Sequence, residues 1–162
     1  MFWLNKFLPE SLSGTLGLRY FGWRHIPLLF YCRPALVACD NEKVTVSIAL
    51  KRRTRNHLGS MYFGALCVGA DCAAGLIAMQ RVQQSGEKVS LIFKSLSADF
   101  LQRVEGDAYF HCEQGRDITA LVSRAIMSGE RVEMPVRVYV TVPSVSAEVV
   151  AEFELVLSLK RR

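Results

Sequence analysis

The sequence lacks the cysteine patterns that hold metal ions or close disulfide frameworks. Its five cysteines, at positions 32, 39, 67, 72 and 112, include no CxxC pair, and an odd number cannot all pair within one chain. The three histidines, His25, His57 and His111, are too widely spaced to form a ligand motif. We therefore expect a cytoplasmic protein with no bound metal and no cofactor.

Repeats, low-complexity tracts and linkers are also missing. Hydrophobic residues make up 51% and charged residues 22% of the 162 positions, which excludes a disordered chain. We expect a single domain over residues 1–162, with residues 1–30 as a helical or irregular segment packed on it. The net charge of +5 is ordinary for a protein surface, and no recognition motif accompanies it, so nucleic acid is not an expected partner.

Two apolar segments raise the question of a membrane. Residues 1–9 are too short for a signal peptide and are interpreted as part of the fold. Residues 61–79, MYFGALCVGADCAAGLIAM, contain one charge, Asp71, and approach the length of a membrane span. The central Asp and the many small residues disfavour insertion, so we predict a helix enclosed by its own protein rather than a membrane span.

Apolar and polar residues alternate with a period of two in several segments, the pattern of half-buried strands. Pro143 and Ser144 indicate a turn that joins the last two strands as a hairpin. A short helix is predicted at 118–128, capped by Asp117 and ended by Gly129. The predicted strands span residues 43–50, 89–101, 107–113, 131–142 and 149–160.

This order of elements predicts an α+β fold, in which one antiparallel sheet wraps around one long central helix. Gly64, Gly69 and Gly75 would let the sheet approach that helix closely.

The segment 56–71, NHLGSMYFGALCVGAD, resembles the helix-start motif of hotdog-fold acyl-CoA thioesterases of the phenylacetate-degradation type. Those proteins carry Asn, Gly and Ser or Thr before the central helix, His-Gly-Gly at its first turn, and an acid nine positions after that His. The residues in register here are Asn56, Gly59, Ser60, Gly64 and Asp71. By strand order, the similarity extends over residues 24–159 and is closest to an uncharacterised branch.

The resemblance implies a hotdog fold, hydrolysis of an acyl-CoA or acyl-carrier thioester, and a homodimer or dimer of dimers with sites between two helices. Tyr62 and Phe63 replace the usual His-Gly, so the familiar histidine is missing. Tyr62 can donate a hydrogen bond, and Phe63 is expected to pack. Gly59, Ser60, Tyr62 and Phe63 are therefore candidate substrate-binding residues.

Thioester hydrolysis requires a base and a group that polarises the carbonyl. Amides near Phe63 and Gly64, at a helix N-terminus, can stabilise an oxyanion. Asp71 is the candidate general base, or else a nucleophile, although a buried carboxylate satisfied by neighbours is the alternative. Asn56 can orient substrate or water, or simply form a turn.

Gly64 and Asp71 are seven residues apart, about 10.5 Å along one helix, so a second subunit is needed to bring both groups to one carbonyl. Arg53 and Arg55, in the basic run 51–55, are candidates for coenzyme A phosphates or for a solvated strand end.

Two other functions fit the pattern. A hotdog hydratase or dehydratase would use His57 and Asp71, whose spacing of 71 − 57 = 14 suits that class. A non-catalytic acyl-binding protein would explain why the usual His-Gly is missing.

Overall fold

The computed structural model describes residues 10–162, with side chains from Leu12 onward, so the interpretation of residues 1–9 lies outside the described residues. These residues form helices and strands in an alternating order. The elements are α1 (Glu10–His25), α2 (Pro27–Cys32), β1 (Ala35–Cys39), β2 (Val44–Ile48), α3 (Phe63–Ser85), β3 (Val89–Phe100), β4 (Ala108–Cys112), α4 (Gly115–Ser128), β5 (Val132–Val142) and β6 (Ser146–Arg161).

The six strands form one antiparallel sheet in the order β1-β2-β4-β5-β6-β3. The predicted hairpin of β5 and β6 is confirmed, with Val132 opposite Leu159 and Arg137 opposite Glu154. In β2 and β4 every second residue is buried, which follows from the alternation of side chains across a strand. The sheet therefore has one apolar face, and β1 and β3 are its two edges.

The apolar face of the sheet curls around α3, which packs against β2, β4, β5 and β6. This is the hotdog arrangement, as predicted. Among the described residues, α3 is the one helix long and apolar enough to cross a membrane, but over half of its most apolar stretch is buried inside the protein. This burial is typical of a core helix.

Both later helices differ in extent from the prediction. α3 runs to Ser85 rather than to the expected residue 79, because the helix continues beyond the apolar run that marked its expected end. Gly86 follows with φ 71° and ends the helix. α4 begins at Gly115 with Gln114 as its N-cap, so the prediction that Asp117 caps it was wrong. Asp117 instead lies within the first turn, where a carboxylate interacts favourably with the helix dipole.

The described part of the N-terminal segment forms two helices, of which α1 packs against the edge strand β1 and α2 against α3. Thr15 Oγ1 accepts a hydrogen bond of 2.9 Å from the backbone N–H of Leu36, which attaches α1 to β1. Gly22 lies against the start of α2, where a Cβ would be 2.8 Å from the backbone nitrogen of Phe30. Leu18 and Leu29 are buried in the core, so both helices are integral to the packing.

Candidate functional site

The loop between β2 and α3 is organised by the buried side chain of Thr54. Its Oγ1 donates to the backbone oxygen of Ala49 (2.7 Å) and accepts from the backbone N–H of Lys51 (2.9 Å). The backbone oxygen of Thr54 accepts from the N–H of Tyr62 (2.8 Å), the residue that precedes α3. Thr54 therefore fixes the position at which the chain enters the helix.

Residues 56–60 form a tight turn in that loop. Asn56 Oδ1 accepts from the backbone N–H of Leu58 (2.9 Å), and Asn56 Nδ2 donates to Ser60 Oγ (3.0 Å). Gly59 has φ +89°, a left-handed conformation that suits glycine. The side chain of Asn56 thus closes a turn, and its second amide hydrogen is the group left for a ligand.

The N-terminus of α3 presents backbone donors without acceptors. Tyr62 is the N-cap residue and makes no side-chain cap. Its backbone oxygen accepts from Ala65 and Leu66, whereas the N–H groups of Phe63 and Gly64 donate to no acceptor in the part of the chain that the structure describes. Two adjacent N–H groups at the positive end of a helix can bind a developing oxyanion.

Two aromatic rings stand beside these donors. The rings of Tyr62 and Phe63 are 4.7 Å apart, and the residues are 49% and 56% exposed. The Tyr62 ring lies over Gly64, where an added Cβ would be 2.6 Å from Tyr62 Cε1. The ring therefore occupies the space beside Gly64 into which a Cβ would project.

Asp71 lies two turns after Gly64 on the same face of α3 and is half-buried. Its carboxylate has no hydrogen-bond or ion-pair partner within residues 12–162. Burial raises the pKa of this carboxyl above its usual value, since the charged form loses hydration and gains no compensating donor. A buried acid with a raised pKa and no partner is suited to accept a proton.

Asp71 opens onto a cavity of about 610 Å³ between α3, the N-terminal helices and β3. Among the described residues that line it, Asp71 is the only charged one. The other lining residues are mainly apolar and include Leu18, Phe21, Leu29, Leu76, Met79 and Phe93. This combination suits a ligand with a long apolar part and one reactive polar group.

The basic residues before the turn are placed differently from one another. Arg53 is half-buried near Cys32 of α2, and its buried Nε has no hydrogen-bond partner among the described residues. Burial raises the pKa of the Cys32 thiol, an effect that the charge of Arg53 partly offsets. Arg55 is exposed and pairs through its backbone with Met61, and His57 is exposed in the 56–60 turn.

Possible metal ligands are dispersed in the part of the chain that the structure describes. Within residues 10–162, no three His, Cys, Asp or Glu side chains lie close enough to hold a metal ion.

Sequence reasoning missed two contributions to the site. Thr54 lies within the basic run 51–55. The one clue in the sequence to its separate role is that it is the only uncharged residue of that run. Leu18 and Phe21 of α1 line the cavity, although the first thirty residues were expected only to form a segment packed on the domain. Neither their spacing nor their chemistry indicates that they share a cavity with Asp71, because that cavity is formed only by the tertiary fold.

Solved structures share this architecture. A protein of unknown function from Chlorobaculum tepidum superposes with a TM-score of 0.79 at 11% identity, covering 94% of this chain and 97% of that one. A Pseudomonas aeruginosa protein of unknown function, named a probable thioesterase, gives 0.72 at 22% identity, covering 96% and 97%. A thioesterase from Haemophilus influenzae gives 0.63 at 10% identity, covering 83% and 82%. No curated protein matches this chain.

The curled sheet around α3, together with these neighbours, defines this protein as a member of the hotdog-fold class. Residues 23–157 match the family described as Domain of unknown function (DUF4442). The chain therefore belongs to the DUF4442 family, which confirms the predicted resemblance to an uncharacterised branch of hotdog proteins.

Proposed function

We propose that this protein hydrolyses acyl thioesters and that Asp71 is the general base. The observation that carries the proposal is an unpartnered, half-buried carboxylate at the wall of an apolar cavity of about 610 Å³. An acyl chain fits the apolar lining, and its thioester carbonyl would lie at the Asp71 end. The names of the Pseudomonas and Haemophilus neighbours support the same chemistry.

The reaction follows from two groups of this chain. Asp71 takes a proton from water, and the hydroxide forms a bond to the thioester carbonyl carbon. The N–H groups of Phe63 and Gly64 hold the resulting oxyanion. When the tetrahedral intermediate collapses, the carbon–sulfur bond breaks, and the proton on Asp71 passes to the departing thiolate. The products are a carboxylic acid and a free thiol.

A site of this kind takes its two halves from two subunits. On one chain, Gly64 and Asp71 are about 10.5 Å apart along α3, too far for both to act on one carbonyl. β3 is an edge strand of twelve residues, and its exposed side chains include Ile92, Leu96 and Phe100. Pairing of this edge with a second copy would cover these residues, so we propose a homodimer, or a dimer of dimers.

The remaining candidate residues have supporting roles in this proposal. Tyr62 and Phe63 contact the substrate beside the oxyanion site, and Gly59 and Ser60 shape the turn that presents it. Arg53 and Arg55 attract the phosphates of coenzyme A or of an acyl carrier. Asn56 acts chiefly by closing the turn, with one amide hydrogen left to orient water or substrate. This chemistry calls on no cofactor.

One observation favours a second function. The Tyr62 ring lies against Gly64 beside the N-terminus of α3, and this crowding is compatible with a protein that binds acyl groups without turnover. For a hydratase that uses His57, no comparable support exists, because His57 is exposed in the turn.

Release of free thiol from short-, medium- and long-chain acyl-CoAs tests the proposal. We expect turnover with longer acyl chains and a loss of roughly 10²-fold in Asp71→Asn, the usual scale for removal of a general base. Asp117→Asn, an exposed substitution on α4, is the matched control and should keep full activity. Tight acyl-CoA binding without thiol release would establish the non-catalytic function. Full activity of Asp71→Asn together with inactive His57→Ala would refute the mechanism.

A further inference from the structure

α1 is apolar on two opposite faces, but only one of them is covered. The inner face includes Leu18 and Gly22, which are buried in the protein. The outer face carries Leu12, Leu16, Tyr20 and Trp23, which are 45%, 48%, 48% and 59% exposed. These four residues follow the spacing i, i+4, i+8, i+11 and therefore form one stripe along the helix. A helix with two apolar faces normally has a second partner.

α2 adds to this exposed apolar surface. It begins one residue after α1, and Leu28 and Tyr31 are 61% and 58% exposed. Eight of the eighteen large hydrophobic residues that are exposed in the described chain lie between Leu12 and Tyr31. We call the outer surface formed by Leu12, Leu16, Tyr20, Trp23, Leu28 and Tyr31 the α1–α2 surface.

The segment that carries the α1–α2 surface has charge of one sign between Glu10 and Asp40. Residues 11–39 contain Arg19, Arg24 and Arg33 and no Asp or Glu, so this segment carries three of the five net positive charges. None of the three arginines forms an ion pair with a described residue, whereas Arg116, Arg137 and Arg161 do. An acid-free basic segment is complementary to an anionic partner.

The composition of the surface indicates which anionic partner it fits. Trp and Tyr have an apolar ring with one polar atom and are favoured where hydrocarbon meets the headgroup layer of a bilayer. Arginines at the margin of an apolar stripe can contact lipid phosphates while their stems remain on the apolar side. We propose that α1 and α2 dock this protein peripherally on the surface of an anionic lipid bilayer.

Docking in this way would place the candidate site close to the lipid. The inner side of the same two helices lines the cavity through Leu18, Phe21, Ile26 and Leu29. The α1–α2 surface is therefore the outer wall of the cavity that contains Asp71. Binding to lipid does not depend on the proposed hydrolysis, so the two proposals can fail separately.

Co-sedimentation with vesicles tests the docking. The full-length protein is mixed with vesicles of phosphatidylcholine alone, or of phosphatidylcholine and phosphatidylserine in equal parts. We expect binding to the anionic vesicles that weakens as salt is added. Tyr20→Ser with Trp23→Ser should weaken binding by about tenfold or more, because the aromatic anchors are lost. Arg24→Glu should weaken binding to the anionic vesicles.

Met127→Ser with Val145→Ser is the matched control. It removes two exposed apolar residues that are 87% and 65% exposed on other parts of the molecule, and binding should be unchanged. The sequence contains two tryptophans, so Trp3→Phe leaves Trp23 as the only one. In that variant, anionic vesicles should shift the tryptophan emission to shorter wavelength, as the indole leaves water.

Three results would overturn the proposal. The first is equal sedimentation with and without phosphatidylserine, and the second is unchanged emission from Trp23. The third is conversion of an oligomer to a monomer by the Tyr20 and Trp23 substitutions, since the surface would then be covered by a second copy of this chain.

Discussion

The phenyl ring of Phe110, on β4, lies directly against Gly69 of α3. A Cβ at position 69 would overlap three carbons of that ring, and both residues are buried. The sheet therefore approaches the central helix closely at a position where the helix has no side chain. The two neighbouring glycines behave differently, because Gly64 faces Tyr62 and Gly75 has ordinary space around it.

Gly69→Ala should destabilise the protein by about 1–3 kcal/mol, because the buried ring of Phe110 has to move. Gly75→Ala is the control on the same helix, since its Cβ would lie 3.6 Å from Phe93 Cε2, an ordinary contact. That variant should be neutral or more stable by about 0.5–1 kcal/mol, the gain of alanine over glycine in a helix. Urea unfolding measures both, and equal midpoints would contradict the expectation.

Thr54→Val should cost about 1–3 kcal/mol, because the loss of the buried Oγ1 leaves the N–H of Lys51 and the oxygen of Ala49 without their hydrogen-bond partner. Thr54→Ser keeps the hydroxyl and should retain most of the stability. Because Thr54 also positions the start of α3, turnover should fall in the Val variant more than in the Ser variant. Thermal unfolding and thiol release are the measurements.

Asp71→Asn should raise the melting temperature at neutral pH. Burial raises the folded-state pKa of Asp71 above its unfolded value of about 3.9, so the ionised form opposes folding. This cost is absent at low pH, where the group is protonated in both states, and develops as pH rises through the folded-state pKa. The two proteins should have similar stability near pH 3 and differ increasingly above that, by about 2–4 °C for each kcal/mol.

The control for that measurement is Asp117→Asn, which removes the same charge from an exposed position. A stabilisation of equal size in this control would assign the effect to net charge rather than to burial of Asp71.

Subunit exchange should restore activity to a mixture of two defective proteins. Asn56→Ala damages the loop before α3, and Asp71→Asn removes the base. In a mixed dimer, one site combines the intact loop of one chain with the intact Asp71 of the other. Random exchange by mild unfolding and refolding should return about a quarter of the wild-type sites.

Exchange itself is confirmed by mass, and sedimentation of the unmixed proteins should show dimers or larger species. No recovery after confirmed exchange would mean that each site takes both residues from one chain. A stable monomer at micromolar concentration would contradict the shared site as well.

The sequence predicted the architecture well, because the signals for it are local. The alternation of apolar and polar residues around Val136 and Phe153 indicates which side of each strand is buried. These two strands, β5 and β6, form the expected hairpin. The apolar run with one acid predicted an enclosed helix, and Gly129 marks the end of α4 as expected. These features depend on side-chain period and backbone conformation within a few residues.

Parts of the site could not be predicted in this way. Asn56 fits a catalytic motif and a turn equally well by sequence, and only the hydrogen bonds to Leu58 and Ser60 show that its side chain closes a turn. The helix-start motif indicated Asp71, but not that its carboxylate is unpartnered, since that depends on which side chains the fold brings near it.

By itself, the sequence determined the α+β class, the central helix and the acid within it, because periodicity and capping act between near neighbours. Only the tertiary structure decided that α1 and α2 wall the cavity beside Asp71 and leave Tyr20 and Trp23 outside. The physical reason is that α1 is apolar on both faces. Its pattern cannot indicate which face the core will cover, and that choice is made by contacts such as Thr15 with Leu36, between residues far apart in the chain.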